Sequence, residues 1–344
     1  MTTQEQRQEQ RQEQRQEQRL EQRPEPRLES GLETRFEQLA DIVAGLDEVA
    51  IAVSGGVDSL TLATFIGRQR GAGAVLAVHA VSPAVPAEAT SRVRWFARQE
   101  GWALEVVDAG EFDDARYRAN PVNRCFFCKS RLYSAIAARS HRRILSGTNS
   151  DDLGEYRPGL DAARASGVRH PYVEAGMGKL AVRALARHLY LGDVAEMPAT
   201  PCLSSRIETG IPIDGRSLAF VHAVENMIRA SDLQPQIVRC RVRRDGVTIE
   251  LDRPTLERLA PDTAEAWRRQ VMGRIGSSGA PAAVRFAAYR SGSAFVGAPA
   301  GGGSGATKAQ PAGESTVPPA AVALGAAAAV PPSAVAGPQA ELAR

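Results

Sequence analysis

Leu32, Phe36, Leu39, Ile42, Val43 and Leu46 recur at helical spacing, which predicts an amphipathic helix over 32–46. An apolar run at 48–53 predicts a strand. It stops at Ser54-Gly55-Gly56-Val57-Asp58-Ser59, and a helical pattern runs from Leu60 to Arg70. Strands are expected at 74–80, 103–107 and 142–146, with helices at 86–101, from 120 and at 179–190. Tyr172 to Ala175 is expected to add a short strand. Alternating β and α segments at this spacing predict an α/β fold with a doubly wound parallel sheet. Ligands of such sheets sit at the carboxyl ends of the strands.

Gly192, Pro198 and Pro201 mark a linker, and a smaller α+β region follows. It is expected to hold a helix at 215–230 and a hairpin of 236–243 with 247–251 around Asp245-Gly246. A single helix at 254–273 and a last strand at 283–288 complete it. The expected organisation is an arm (1–31), a nucleotide domain (32–195), a smaller domain (196–291) and a tail (292–344). The arm repeats Gln-Glu-Gln-Arg over residues 4–23, which stacks like charges at i,i+4 and offers almost nothing apolar to bury. The tail is Gly, Ala, Pro and Ser with few large apolar groups. Both are expected to be disordered.

The net charge of +3 implies no broad basic surface, so nucleic acid is not expected as a partner. No apolar run is long enough to span a bilayer and no secretory apolar segment opens the chain, so no membrane association is expected. Four cysteines among 344 residues do not resemble a disulfide scaffold, and a cytoplasmic location is expected.

Candidate chemistry centres first on residues 54–59. A strand, a glycine turn and a helix N-terminus form an anion site from exposed N–H groups and the helix dipole. Two glycines let the backbone approach a phosphate, Ser54 and Ser59 add hydroxyl donors, and the charge of Asp58 suits Mg2+ or orientation of the loop. The string lacks the Lys of a Walker A loop.

The cysteines are the second focus. Cys125 and Cys128 form a C-x-x-C, Cys202 lies in Pro-Cys-Leu-Ser-Ser-Arg, and Cys240 lies in a predicted strand between Arg239 and Arg241. Three readings stay open: a structural zinc site, unrelated thiols, and a three-thiolate [4Fe–4S] cluster. Cys202 is also a candidate nucleophile without any metal. Cys240 is expected to be a buried bystander, and His79 to be structural.

Together, five motifs in one order resemble the LarE family within the ATP pyrophosphatase superfamily. They are the Ser54–Ser59 loop, Arg-Cys-x-x-Cys-Lys, Gly-Thr-Asn-x-Asp-Asp, Tyr-Arg-Pro-Gly-Leu and Pro-Cys-Leu-x-Ser-Arg, and the resemblance covers roughly 34–290. These ATP-dependent sulfur transferases help make the nickel-pincer nucleotide cofactor of lactate racemase and related enzymes. The resemblance implies an adenine nucleotide alpha hydrolase-like, Rossmann-like fold. It implies that ATP with Mg2+ adenylates the carboxylates of pyridinium-3,5-biscarboxylic acid mononucleotide and that sulfur displaces AMP. Nucleotide and Mg2+ contacts would fall to Ser54, Gly55, Gly56, Asp58, Ser59, Ser82, Gly147, Thr148 and Asp152. Lys129 and Arg157 would stabilise developing charge beside Cys202. Ser205, Arg206, Arg239, Arg241, Glu225 and Glu250 would meet the acceptor, although Glu225 on a helix also reads as surface. Sulfur would come through a [4Fe–4S] cluster on Cys125, Cys128 and Cys202, or from Cys202 itself. A homo-oligomer, in some members a hexamer, is a further implication. The alternative functions are another adenylating enzyme, such as a tRNA thiolase, and a non-catalytic ATP-binding module.

Overall fold

The computed structural model describes residues 30–154, 157–275, 283–290 and 292–293. The expected arm up to residue 29, the expected tail from residue 294 and Tyr156 of the Tyr-Arg-Pro-Gly-Leu motif lie outside the described residues. Both sheets described below belong to one unit that ends at Gly301.

Helix α1 (Ser30–Ala44) leads to strand β1 (Val49–Ala52), helix α2 (Val57–Arg70) and strand β2 (Val75–Ala80). Helix α3 (Ala87–Glu100) and strand β3 (Ala103–Val107) follow, then helices α4 (Ala115–Arg118) and α5 (Arg124–Ala137) and strand β4 (Arg143–Ser146). The four strands lie in the order β3-β2-β1-β4 and every pairing is parallel. All four residues of β1 are buried. Val49 and Ile51 enter one apolar cluster with Leu60, Phe65 and Ile66, while Ala50 and Ala52 enter another with Leu132, Tyr133 and Ile136. Successive side chains of a strand point to opposite faces, so helices cover both faces of the sheet. This is the expected doubly wound, Rossmann-like α/β fold. β1 lies between β2 and β4, so the chain reverses direction across the sheet there. The loops after β1 and β4 therefore flank the crevice where such folds bind ligands.

Beyond β4 come helices α6 (Pro158–Ala165), α7 (Pro171–Glu174) and α8 (Lys179–His188). The strand expected at 172–175 is helix α7 instead. Pro171 stands at its first turn, where the missing N–H costs nothing, and Tyr172 is fully buried. Among the described residues of this stretch, Arg169 forms a parallel bridge to Leu145 of β4.

The second sheet contains β5 (Val238–Arg243), β6 (Gly246–Leu251) and β7 (Val284–Ala288), in that order. β5 and β6 form the expected antiparallel hairpin, and β7 runs parallel to β6. Helix α9 (Gly215–Arg229) packs against it, its start fixed by Asp214, which accepts from the N–H groups of Arg216 and Ser217. The helix expected at 254–273 is two helices, α10 (Arg253–Arg258) and α11 (Pro261–Ile275). Proline disfavours helical backbone at the residue before it, and Leu259 is already extended. Among the described residues no helix is long and apolar enough to cross a membrane.

The two halves interlock through 114–124 and 202–213. Ala84 and Tyr117 join the apolar cluster of the second sheet. Asn120 is fully buried, and its side-chain nitrogen donates to the carbonyls of Glu208 and Ile211, both at 2.9 Å. The Ile213 N–H donates to the Arg118 carbonyl at 2.8 Å.

Candidate active site

The chain leaves β1 at Val53 and turns through Gly55, whose φ of 82° lies in the left-handed region. A Cβ there would sit 2.8 Å from the Ala89 carbonyl oxygen, so helix α3 presses directly on the turn. Arg92 of α3 donates to the Gly55 carbonyl at 2.8 Å. Ser59 Oγ accepts from the Ser54 N–H at 3.1 Å and lies 3.2 Å from Ser54 Oγ. No side chain caps the start of α2. Its first N–H groups have no partner within the helix, the arrangement that binds anions at helix starts.

The loop after β4 lies against this turn. A Cβ on Gly147 would stand 2.8 Å from the Asp58 carbonyl carbon and the Ser59 nitrogen. Tyr172 donates its hydroxyl proton to the Asp58 carbonyl at 3.1 Å. Asn149 touches two carboxylates: its side chain reaches Asp58 Oδ1 at 3.5 Å and its N–H donates to Asp152 Oδ2 at 3.2 Å. Burial, and then the charge of Asp152, push the Asp58 carboxyl above the ordinary carboxylate range, while Lys179 and Arg183 offset part of this. Asp152 is paired with Arg157 at 3.0 Å and Lys179 at 3.5 Å. Two carboxylates and three cations beside a bare helix N-terminus suit a polyphosphate with a divalent metal.

Ser82 lies just beyond the end of β2 and accepts from the Ala84 N–H at 3.3 Å. Thr148 Oγ1 is 3.0 Å from Ser146 Oγ, which is 2.8 Å from His170 Nδ1. Burial holds His170 below its ordinary pKa. His79 bridges the Val53 carbonyl and Thr90 inside the core, as expected of a structural histidine.

Cys125 and Cys128 lie in the first two turns of α5, both half-buried, and Cys202 is exposed just before the short turn Leu203–Arg206. Burial, then the neighbouring Cys202, raise both α5 thiols, Cys128 to about 12. Arg124, Lys129 and Arg157 pull Cys125 the other way. The three thiols are therefore electrostatic neighbours, and thiolate donors are what a [4Fe–4S] cluster uses. Among the described residues, no three His, Cys, Asp or Glu side chains are gathered closely enough to hold a metal ion. Cys240 is fully buried, as expected.

Leu203 donates its N–H to the Ala84 carbonyl at 2.8 Å, which ties the Cys202 turn to the loop after β2. Tyr117 Oη and Ser204 Oγ lie 2.7 Å apart in the interior. The residues expected to meet an acceptor lie deeper. Glu225 is 1% exposed and not surface: it forms a two-pronged pair with Arg206 (2.9 and 3.2 Å) and accepts from the Cys240 N–H. Burial works against its charge, but the Arg206 bonds and the nearby cations hold its carboxyl below the ordinary value. Arg241 pairs with Glu250 at 3.0 Å, and Ser205 Oγ lies 2.9 Å from Arg206.

Sequence reasoning did not single out Lys179, Arg183, Tyr172, His170 or Ser146. The glycines of Gly176-Met177-Gly178 before Lys179 are the one sequence signal that points there, since they mark a tight turn into a helix.

No protein-family model matches the chain. It is 36% identical over 234 residues to an uncharacterised protein of Synechocystis, covering 67% of this chain and 86% of that one. It is 30% identical over 219 residues to the pyridinium-3,5-bisthiocarboxylic acid mononucleotide synthase of Lactiplantibacillus plantarum, covering 62% of this chain and 78% of the synthase. An uncharacterised protein of Methanocaldococcus jannaschii is 23% identical over 209 residues. With the expected fold, and with so much of a curated LarE synthase matched, the chain belongs to the LarE family.

Proposed function

We propose that the protein is an ATP-dependent sulfur transferase acting on pyridinium-3,5-biscarboxylic acid mononucleotide. A carboxylate oxygen of the acceptor attacks the α-phosphorus of ATP, and the bond to pyrophosphate breaks. A sulfur nucleophile then attacks the acyl carbon, and AMP leaves with the carboxylate oxygen. Activation is needed because a carboxylate is a poor electrophile, whereas AMP is a competent leaving group. The Ser54–Ser59 turn would hold the phosphates, with Ser82, Gly147 and Thr148 around the nucleotide. Asp58 and Asp152 would hold Mg2+, and Lys129 and Arg157 would stabilise charge near the thiols.

The observation that carries this reading is the Leu203–Ala84 hydrogen bond at 2.8 Å. It ties the residue after Cys202 to a loop at the same sheet edge as the phosphate turn. Cys125, Cys128 and Cys202 would have to draw closer together to hold a [4Fe–4S] cluster, since among the described residues they are not gathered tightly enough for a metal ion; a cluster bound there would supply sulfide to the acyl carbon.

A second reading makes Cys202 the sulfur donor, and its exposure beside two half-buried thiols favours it. Its thiolate would form the acyl thioester. Loss of the Cys202 α-proton with cleavage of its Cβ–S bond would leave the thiocarboxylate and dehydroalanine.

Anaerobic incubation with ATP, Mg2+ and the mononucleotide tests the proposal, with mass spectrometry of acceptor and protein. Formation of AMP, pyrophosphate and thiocarboxylate is expected. Absence of an ATP-dependent thiocarboxylate from both iron-reconstituted and iron-free protein sinks it. Dehydroalanine at position 202 after one turnover selects the second reading.

A further inference from the structure

Between Ala195 and Leu203 the backbone forms neither helix nor strand, and residues 198–202 are exposed. Pro198 and Pro201 add no N–H groups. A strap of this kind, carrying Cys202, would ordinarily have no fixed path, since the carbonyls of such a segment turn to water.

Here they turn to arginines. Arg183 of α8 donates to the carbonyls of Ala195 and Met197, both at 2.6 Å. Arg239 of β5 donates to Ala199 at 2.8 Å. Arg206 donates one nitrogen to Pro201 at 2.5 Å and to Cys202 at 3.1 Å, and Arg241 donates to Ser205 at 2.9 Å. From Ala195 to Pro201 every second carbonyl is taken by a guanidinium.

Arg206, Arg239 and Arg241 are 2%, 5% and 3% exposed. Glu225 neutralises Arg206, Glu250 neutralises Arg241, and Arg239 lies 5.7 Å over the Tyr289 ring. A planar fork with five donors can bind a carboxylate and backbone carbonyls at once, which a lysine cannot.

We infer that Arg183, Arg206, Arg239 and Arg241 are positioning residues, a ladder of side-chain-to-carbonyl bonds that fixes the strap and thereby aims the Cys202 thiol. Holding the protein's own backbone is a task separate from any contact these arginines make with the acceptor. The inference depends on the proposed function only in taking Cys202 as the reacting thiol.

The full-length protein without ligand is the test material, so the outcome does not depend on the acceptor's identity. Hydrogen exchange over 195–205 and the iodoacetamide alkylation rate of Cys202 are compared for wild type, Arg206→Lys, Arg239→Lys and the exposed control Arg285→Gln. The two ladder variants are expected to change both readouts about tenfold, with exchange faster as the strap opens locally, while the control matches wild type. In turnover, kcat is expected to fall about a hundredfold, the scale of a 1 Å misplacement, with KM for the mononucleotide nearly unchanged. Arg239→Lys, which leaves the Arg206–Glu225 pair intact, covers the case in which Arg206→Lys does not fold. Unchanged exchange and alkylation overturn the inference, and a raised KM alongside them returns these arginines to acceptor binding.

Discussion

Asn149 bonds to two carboxylates at once, Asp58 in the first turn of α2 and Asp152 in the short turn after β4. The pairing sets a sign for pH and mutation. Asp58 has its carboxyl raised above 3.8 by burial and by Asp152. A raised folded-state value means that its stabilising protonation is complete below the unfolded pKa and is lost as pH rises through the folded one. At neutral pH the charged Asp58 therefore works against folding. Asp58→Asn is expected to raise the melting temperature at pH 7, with the gain shrinking as pH falls and gone below the ordinary carboxyl value of 3.8. If Asp58 holds Mg2+ as proposed, the same variant is expected to lose ATP turnover by about a hundredfold or more. Thermal melts across pH, set beside AMP release, check both halves.

Gly147 admits no side chain. Its Cβ would enter the backbone at Asp58 and Ser59. Gly147→Ala is expected to cost about 1–3 kcal/mol as the loop is forced from the helix start. ATP affinity should fall with it. Urea unfolding and nucleotide titration measure the two effects, and an unchanged affinity would separate Gly147 from the phosphate site.

The thiols are ranked by environment. Cys128 is held near 12 and Cys125 is raised by burial, whereas Cys202 is exposed. Brief treatment with iodoacetamide at pH 8 is expected to label Cys202 about tenfold faster than either α5 thiol, because only thiolate reacts. Peptide mapping reads the order directly. Reconstitution with iron and sulfide is expected to protect all three if they hold a cluster.

The Tyr117–Ser204 hydroxyl pair is a buried fastener between the two halves. Tyr117→Phe and Ser204→Ala should each cost about 1–3 kcal/mol by leaving a hydroxyl without its partner. The double variant should cost less than the sum, since no orphan remains. Denaturant midpoints of the four proteins complete the cycle.

Local physics made much of the first sheet readable. The apolar run at 48–53 and the glycines after it specify strand, turn and helix within a dozen residues, and β1 to α2 formed where expected. Helix α7 did not, because Tyr172 and Val173 favour strands in isolation while Pro171 and a buried ring decide the matter in context. Surface stayed open as an alternative for Glu225 because its partner Arg206 lies nineteen residues away in the chain. No helical periodicity reports a neighbour of that kind. The arginine bonds to the strap were equally hidden, since a backbone carbonyl leaves no mark in sequence.

That last point bears on how the strap can vary. Arginines that grip carbonyls grip a group every residue type possesses. The side chains of Met197 and Ala199 contribute nothing to those bonds, so these positions can be rewritten without losing the strap's course. The instructions for its shape are stored at Arg183, Arg206, Arg239 and Arg241. Substitutions at Met197, Ala199 and Thr200 should drift freely, and a designer can retune the surroundings of Cys202 there while leaving its place in space untouched.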